Sequence, residues 1–173
     1  LHSFPTRRSS DLRILFPTDF SGPADRARRY AVELAARFDA ELHVMHVIPP
    51  VVMPLANANT SWTMPESDMK LHVENAFEKL DGLIAEMQSL RRNKVQTVKV
   101  GFVVDEIVNY AREQEIDLIV IGTHGHTGLQ RFLLGSVAEK LVRVSECPVL
   151  TVHPTGHQFV DESTVGKATG DKA

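Results

Sequence analysis

The sequence lacks three features that would assign it to a familiar class of protein. It has a single cysteine, Cys147, so no disulfide can form within the chain. It has no surplus of positive charge, and its formal net charge of -3 gives no general attraction to nucleic acid or to an anionic membrane. It also has no uninterrupted apolar run near the roughly 18 residues of a membrane span. We therefore expect a cytoplasmic protein, with neither nucleic acid nor membrane as a partner.

The composition, with 43% hydrophobic and 24% charged residues among 173, is typical of one globular domain with a full core. Residues 1–12, LHSFPTRRSSDL, have no helical or alternating period and resemble the translation of a sequencing-library adapter. We expect them to be a non-native segment, and a natural extension is the alternative. Residues 155–173 have little to bury and predict a disordered tail, which leaves a domain at 13–154.

Strand and helix patterns alternate through that domain. Ser21 is a capping residue and Pro23 is tolerated early in a helix, so they predict a helix start. Five strands and four helices in alternation predict an open parallel α/β sheet with helices on both faces. The strand-like segments are 13–19, 41–48, 95–100, 117–122 and 148–154. The helical patterns are Ala24, Ala27, Ala31, Leu34 and Phe38, then 69–87, 103–114 and 136–145.

Two strands are predicted to lie at the centre of the sheet. Segments 13–17 and 117–121 are the most apolar, and the residues that follow them are PTDFS and GTHG. Ligands of such sheets bind beyond the carboxyl ends of the strands, where the strand order reverses. If the two strands are neighbours, Asp19 and the glycine-rich stretch meet across one crevice. The segment 49–67 is rich in proline, asparagine and serine and predicts a long loop.

The stretch GTHGHTGLQRFLLGS begins at Gly122 and has the features of an anion site. Gly122 and Gly125 allow the backbone to turn sharply and to bring amide groups close to a ligand. Gly135 and Ser136 then begin a helix, whose first amides and dipole favour a phosphate. Asp19 could accept hydrogen bonds from sugar hydroxyls, which favours a nucleotide over inorganic phosphate. For the glycines alone, simple turn formation is the alternative.

Several histidines and one arginine are further candidates for ligand contacts. His124 and His126 have no partnered cluster of carboxylates or cysteines, so they do not make a zinc site. We expect them, with Arg131, to be candidate phosphate contacts, although a solvated arginine is the alternative for Arg131. His43 and His46 are an odd number of positions apart on a strand, so they face opposite sides of the sheet and cannot form a pair.

The glycine spacing is also that of a known family. The stretch reads as Gly122, two residues, Gly125, nine residues, Gly135 and Ser136. Together with ILFPTDFS, HVMHVI, DLIVIGTHG, LLGSVAEKLVR and CPVLTV in that order, it resembles the universal stress protein family over about 13–154. The resemblance implies a five-stranded parallel sheet in the order 3-2-1-4-5, the ATP-binding branch of the family, and frequent homodimers.

The resemblance also implies particular contacts. The cofactor is ATP, with Mg held through its phosphates rather than by a protein metal site. The implied contacts are Pro17, Thr18 and Asp19 at the adenosine, Val47 at the adenine, Ile121 and Gly122 along the nucleoside, and Gly125, Gly135, Ser136 and Val137 around the phosphates. The implied homodimer pairs the last strand, an exposed edge, with its copy through Val149, Leu150, Thr151, Val152 and His153.

Three functions are compatible with these features. The first is an ATP-binding regulatory module of the stress response, and the second is a slow or partner-stimulated ATPase or phosphotransfer enzyme. The third is a dimeric scaffold that does not bind nucleotide. The sequence has no GxxxxGK[ST] loop, no lysine within 122–136 and no evident second carboxylate for magnesium. These absences favour the binding module.

Overall fold

The computed structural model describes residues 12–50, 52–54, 61–88, 90, 93–123 and 135–153. None of the helices in these ranges is both long enough and apolar enough to cross a membrane. In chain order the elements are β1 (Arg13–Pro17), α1 (Gly22–Phe38), β2 (Glu41–Ile48), β3 (Val52–Pro54), β4 (Ser61–Thr63), α2 (Glu66–Glu86), β5 (Lys94–Val100), α3 (Val103–Glu113), β6 (Leu118–Gly122), α4 (Ser136–Val144) and β7 (Val149–Val152).

Five of the strands form one parallel sheet in the order β5-β2-β1-β6-β7. Counted along the chain within this sheet, the order is 3-2-1-4-5, which confirms the prediction. β1 is central, because Leu15 lies opposite His43 of β2 on one side and opposite Ile119 of β6 on the other. From β1 the chain adds β2 and then β5 on one side of the sheet, and it adds β6 and then β7 on the other side. The strand order therefore reverses between β1 and β6.

Helices cover both faces of this sheet. One core lies between the sheet and helices α1 and α2, and it includes Phe16 and Val44. The other lies under α3 and α4, and it includes Leu15 and Met45. Neighbouring residues of β1 and β2 join different cores because alternate side chains of a strand point to opposite faces. The carboxyl ends of the strands therefore form a rim between two layers of helices.

The start of α1 follows the sequence prediction and its end does not. Ser21 caps the helix, since its Oγ accepts a hydrogen bond from the Ala24 N–H at 3.3 Å. Phe38 was expected on the buried face, but 51% of its surface is exposed. Residues 36–39 are all exposed, so the helix leaves the core after Ala35 and Phe38 lies outside it.

The prediction of a long loop over 49–67 is wrong. Strands β3 and β4 form an antiparallel hairpin in which Met53 pairs with Trp62, and α2 already begins at Glu66. Proline, asparagine and serine are typical of loops, but they are equally typical of the turn between two short strands. Composition alone could not separate these two cases.

Leu12 belongs with the domain in the structure. It packs against the core under α1 and α2, and its carbonyl accepts a hydrogen bond from the Glu41 N–H at 2.8 Å. A deletion that tests the N-terminal segment should therefore end at residue 11. The other residues of that segment and the predicted tail at 155–173 lie outside the described residues.

Candidate functional site

A crevice of about 880 Å³ opens at the carboxyl ends of β1, β2 and β6. It lies where the strand order reverses, as expected for an open parallel sheet. Gly125 and the candidate phosphate contacts His124, His126 and Arg131 lie outside the described residues. All the other residues implied as nucleotide contacts line the crevice: Pro17, Thr18, Asp19, Val47, Ile121, Gly122, Gly135, Ser136 and Val137.

A tight turn directly after β1 brings Asp19 to the crevice. The Phe20 N–H donates to Thr18 Oγ1, and the Ser21 N–H donates to Asp19 Oδ1, each at 3.0 Å. Phe20 has a left-handed backbone with φ of 63°, which costs a non-glycine residue on the order of 1 kcal/mol. The two side-chain hydrogen bonds stabilise this turn. The Ser21 N–H thereby holds the carboxylate of Asp19 at the end of β1.

Gly122 is required by packing rather than by a turn. It is the last residue of β6, and a Cβ built on it would lie 2.9 Å from the carbonyl oxygen of Pro23 and 3.2 Å from the carbonyl carbon. Both atoms are backbone atoms in the first turn of α1, so they cannot move aside cheaply. The expectation that Gly122 makes a sharp turn is therefore wrong, although the residue does line the crevice.

The N-terminus of α4 faces the crevice, and its N-cap residue, Gly135, has no side chain with which to cap it. The Gly135 N–H donates to the carbonyl of Thr123. The Thr123 N–H donates in turn to the Val152 carbonyl at 3.0 Å, which fixes the helix start against β7. Ser136 and Val137 follow and line the crevice. Because none of the described side chains is recorded as a cap for the first amides of α4, these amides and the helix dipole favour a bound anion.

The side of the crevice nearest α3 is apolar. Val47 and Ile121 are 7% and 8% exposed, and Ile107 of α3 is 1% exposed. All three belong to the core under α3 and α4 and also line the crevice. A concave apolar surface of this kind suits the flat face of a base, while polar groups at its margin fix the orientation.

Sequence reasoning missed the wall that α2 adds to the crevice. His72, Asn75, Ala76 and Lys79 line the crevice from this helix, three and four residues apart and therefore on one face. The signal was a set of polar residues at helical spacing beside the apolar face of the 69–87 pattern. With the preceding segment interpreted as a long loop, nothing indicated that the first turns of α2 reach the strand ends.

His46 of β2 lies between this wall and the turn after β1. Its Nδ1 is 2.8 Å from the Thr18 carbonyl oxygen, so Nδ1 carries a proton and donates. Its ring centroid is 4.5 Å from that of Phe20. Burial lowers the pKa of His46 below its ordinary value of 6.5, although the Thr18 hydrogen bond and the charge of Asp19 oppose that effect. The imidazole is thus neutral at pH 7, with Nε2 able to accept a hydrogen bond.

His43 faces the opposite side of the sheet, which confirms that the two histidines are not a pair. Its Nε2 is 2.8 Å from Glu41 Oε1 and its Nδ1 is 2.8 Å from the Tyr110 hydroxyl. Burial lowers the pKa of His43 as well, although the hydrogen bond that its ring donates to Glu41 opposes that effect. A neutral ring donates to Glu41 through Nε2 and accepts from Tyr110 at Nδ1, so His43 ties β2 to α3.

Metal binding in the crevice depends on oxygen donors. Among the described residues, no three His, Cys, Asp or Glu side chains come together as a metal site. Asp19 is the one carboxylate among the described residues of the crevice, and Ser136 adds a hydroxyl. Mg²⁺ is commonly held by one or two carboxylates together with waters and substrate phosphates. These residues therefore fit a magnesium ion that arrives with a phosphate chain.

The fold is that of a doubly wound α/β protein with a crevice at the switch point of its sheet, which is the usual place for a ligand in such folds. The sequence model of the universal stress protein family matches residues 12–153, and the chain belongs to that family. A universal stress protein of Methanocaldococcus jannaschii is 37% identical over 144 residues, which cover 81% of this chain and 81% of the relative.

Solved structures share the fold. A hypothetical protein of Methanocaldococcus jannaschii that served as a structural genomics test case has a TM-score of 0.64 and 27% identity, covering 84% of this chain and 98% of that one. A universal stress protein from Archaeoglobus fulgidus in complex with dAMP has a TM-score of 0.56 and 22% identity, covering 82% and 96%. At that identity the second likeness concerns the fold alone.

Proposed function

We propose that this chain binds ATP in the crevice and acts as a nucleotide-dependent module of the stress response. The observation that carries the proposal is the meeting of two features in one crevice. The N-terminus of α4, which begins at a glycine N-cap, offers backbone amides to an anion, and Asp19 at the end of β1 offers a carboxylate to hydroxyl groups. A phosphate joined to a sugar satisfies both at once.

The apolar side of the crevice supports an adenine base. Val47, Ile107 and Ile121 supply a surface for the face of the ring, and the backbone at Val47 would read its edge. Asp19 would then accept from the ribose hydroxyls between the base and the phosphates. The dAMP complex of the Archaeoglobus fulgidus protein has the same fold, but that likeness does not select the nucleotide for this chain.

The helix side of the crevice supports phosphates. Ser136 and Val137 belong to the first turn of α4, where backbone N–H groups and the helix dipole stabilise negative charge. Magnesium would enter with the phosphate chain and be shared between its oxygens and those of Asp19 or Ser136. ATP in the cytoplasm, where we expect the protein to act, is available as such a complex.

We propose binding rather than rapid hydrolysis as the activity. At the α4 end of the crevice, the described residues offer backbone amides and the Ser136 hydroxyl, groups suited to bind a phosphate chain before any bond breaks. Binding the ground state and the transition state equally does not accelerate the chemical step. Occupancy of the crevice would then be the signal, passed on through surrounding loops, the dimer or a protein partner.

The proposed module is a homodimer through β7, an edge strand of the sheet. Three apolar side chains near this edge are exposed: Val142 by 52%, Val144 by 53% and Leu150 by 36%. An exposed edge strand with apolar neighbours is a surface that proteins usually cover. A second copy with its own β7 antiparallel would cover it.

The test is to purify the chain and ask whether an adenine nucleotide co-purifies, followed by calorimetric titration with ATP, GTP and inorganic phosphate. We expect bound adenine nucleotide, or saturable binding of ATP that exceeds binding of GTP. Absence of both co-purified nucleotide and ATP binding would contradict the proposal and favour the scaffold. Equal affinity for ATP and inorganic phosphate would show an anion site without base recognition.

A further inference from the structure

Lys79 is the one lysine or arginine among the described residues that line the crevice. It lies on α2, away from the glycine-rich stretch 122–136, which contains no lysine. Among the residues that the structure describes, Lys79 forms no ion pair, and its recorded contact is with the ring of Phe20, 5.3 Å from Nζ to the ring centroid. A cation without a carboxylate partner in a ligand crevice is available to an anion.

The surroundings of Lys79 hold it over the crevice. Ala76 and Leu80, on either side of it along α2, are 5% and 0% exposed, so the helix is packed and cannot turn Lys79 away. At the far end of the helix, Glu86 pairs with Arg28 of α1 at 3.2 Å, which fixes α2 to its neighbour. The ammonium group is thus carried on a rigid element with a flexible stem.

Phe20 adds a second constraint on the ammonium. Its left-handed backbone, with φ of 63°, and the hydrogen bond from its N–H to Thr18 Oγ1 direct the ring toward His46 and Lys79. A cation over an aromatic face is attracted by about 0.5–1 kcal/mol at an exposed site. The same turn that holds Asp19 at the crevice therefore also supplies the ring on which Lys79 rests.

We propose that Lys79 forms a second anion subsite in the crevice, opposite the N-terminus of α4, and binds the phosphate chain of the nucleotide. This inference rests on the proposed function and adds to it a preference for nucleotides with more phosphates. Without Lys79, the one full charge on the described walls of the crevice would be the negative charge of Asp19, which repels phosphates. With Lys79, the negative charge of the phosphate chain is attracted to an ammonium group, so the affinity rises from adenosine to ATP.

The simplest alternative is that Lys79 only stacks on Phe20 or balances Asp19. In that case its loss would change the affinity for adenosine and for ATP by similar factors, since neither role needs a phosphate. A direct phosphate contact predicts a loss that grows with the number of phosphates. The two roles are therefore separated by a ligand series rather than by a single affinity.

The experiment is a titration of wild type and Lys79→Gln with adenosine, AMP, ADP and ATP at fixed ionic strength. We expect Lys79→Gln to weaken ATP about tenfold and to leave adenosine within about twofold. Lys70→Gln is the matched control, because Lys70 lies on the same helix, pairs with Glu74 at 3.9 Å and does not line the crevice. That control should leave the whole series unchanged.

Two further variants test whether the charge of Lys79 acts on the phosphates and whether Phe20 positions that charge. Lys79→Arg keeps the charge and should retain most of the preference for ATP over adenosine. Phe20→Leu should reduce that preference in the wild type and have no further effect on it in the Lys79→Gln background, because the ring acts through the ammonium. A loss with Lys79→Gln that is equal for adenosine and ATP, or an unchanged ATP affinity, would overturn the subsite. Failure of the wild type to bind any member of the series would instead overturn the proposed function.

Discussion

His46 Nδ1 donates to the backbone carbonyl of Thr18 across 2.8 Å, and this bond joins β2 to the turn after β1. The turn carries Asp19 and Phe20, so the position of both crevice residues depends on the donor at His46 Nδ1. A protonated ring could still donate there, but its charge would lie in a site where burial disfavours it.

The first prediction is that the protein loses stability as the pH falls below 6.5. Burial lowers the pKa of both His43 and His46 from 6.5 in the folded state, so the unfolded chain binds more protons below that pH. The contribution of the two histidines to the free energy of unfolding should therefore be fully present above pH 6.5. It should decrease as the pH falls below 6.5 and be lost below the folded pKa values. Urea unfolding from about pH 7 to about pH 5 measures this.

A matched variant isolates one of the two histidines. His46→Gln retains an N–H donor for the Thr18 carbonyl and removes the titrating ring, so its stability should depend less on pH than that of the wild type. The same pH dependence in both proteins would show that His46 does not contribute.

The second prediction concerns Gly122. Gly122→Ala adds a Cβ that meets the Pro23 carbonyl oxygen at 2.9 Å, so α1 must shift, and we expect a loss of about 1–3 kcal/mol in the free energy of unfolding. Gly22→Ala, at the start of the same helix, has nothing within 4 Å of the added atom and is the control. Equal stability of both variants would mean that the close approach of α1 and β6 is not a constraint.

The parallel sheet, Asp19 and the start of α4 could be predicted because their signals are local, whereas Pro17, Val47 and Ile121 were implied only by the family resemblance. Apolar runs gave β1 and β6, and the spacing of Gly135 and Ser136 gave the start of α4. The polar wall that α2 adds to the crevice could not be predicted, because the rotation of a helix about its axis is set by tertiary packing. Lys79 becomes a crevice residue only once Ala76 is buried against the sheet. The packing role of Gly122 was hidden for the same reason, since Pro23 is distant in sequence.

The third prediction concerns the phosphate end of the crevice. Gly135→Val places a branched side chain at the N-cap of α4, where a phosphate must approach the amides, so ATP should bind about tenfold more weakly or worse. Gly82→Val is the control, since Gly82 lies on α2 with nothing within 4 Å of a Cβ. Calorimetric titration measures both, and circular dichroism checks that the fold survives. Wild-type affinity in Gly135→Val would remove α4 from the site.

The fourth prediction concerns the dimer. The carbonyls of Pro148 and Val152 accept hydrogen bonds from β6, so by alternation along β7 the Thr151 N–H points outward. Thr151→Pro removes that donor and should shift a dimer toward monomer, whereas Thr151→Val keeps the N–H and should not. Sedimentation velocity distinguishes them. A wild-type chain that sediments as a monomer would count against the dimer itself.

The fifth prediction is that ATP binds and persists. Rapid cleavage requires a water held in line with the terminal phosphate and charge neutralised in the transition state, usually by magnesium, lysine or an arginine finger. Among the described residues the crevice offers Lys79, Asp19 and Ser136, which we propose as ground-state contacts of the phosphates and magnesium. We therefore expect single turnover with excess protein and magnesium to run well below about 1 per second, the lower end of typical enzymes. Turnover of several per second that Asp19→Ala or Ser136→Ala abolishes without loss of binding would make the protein an ATPase, because those side chains would then act on the transition state.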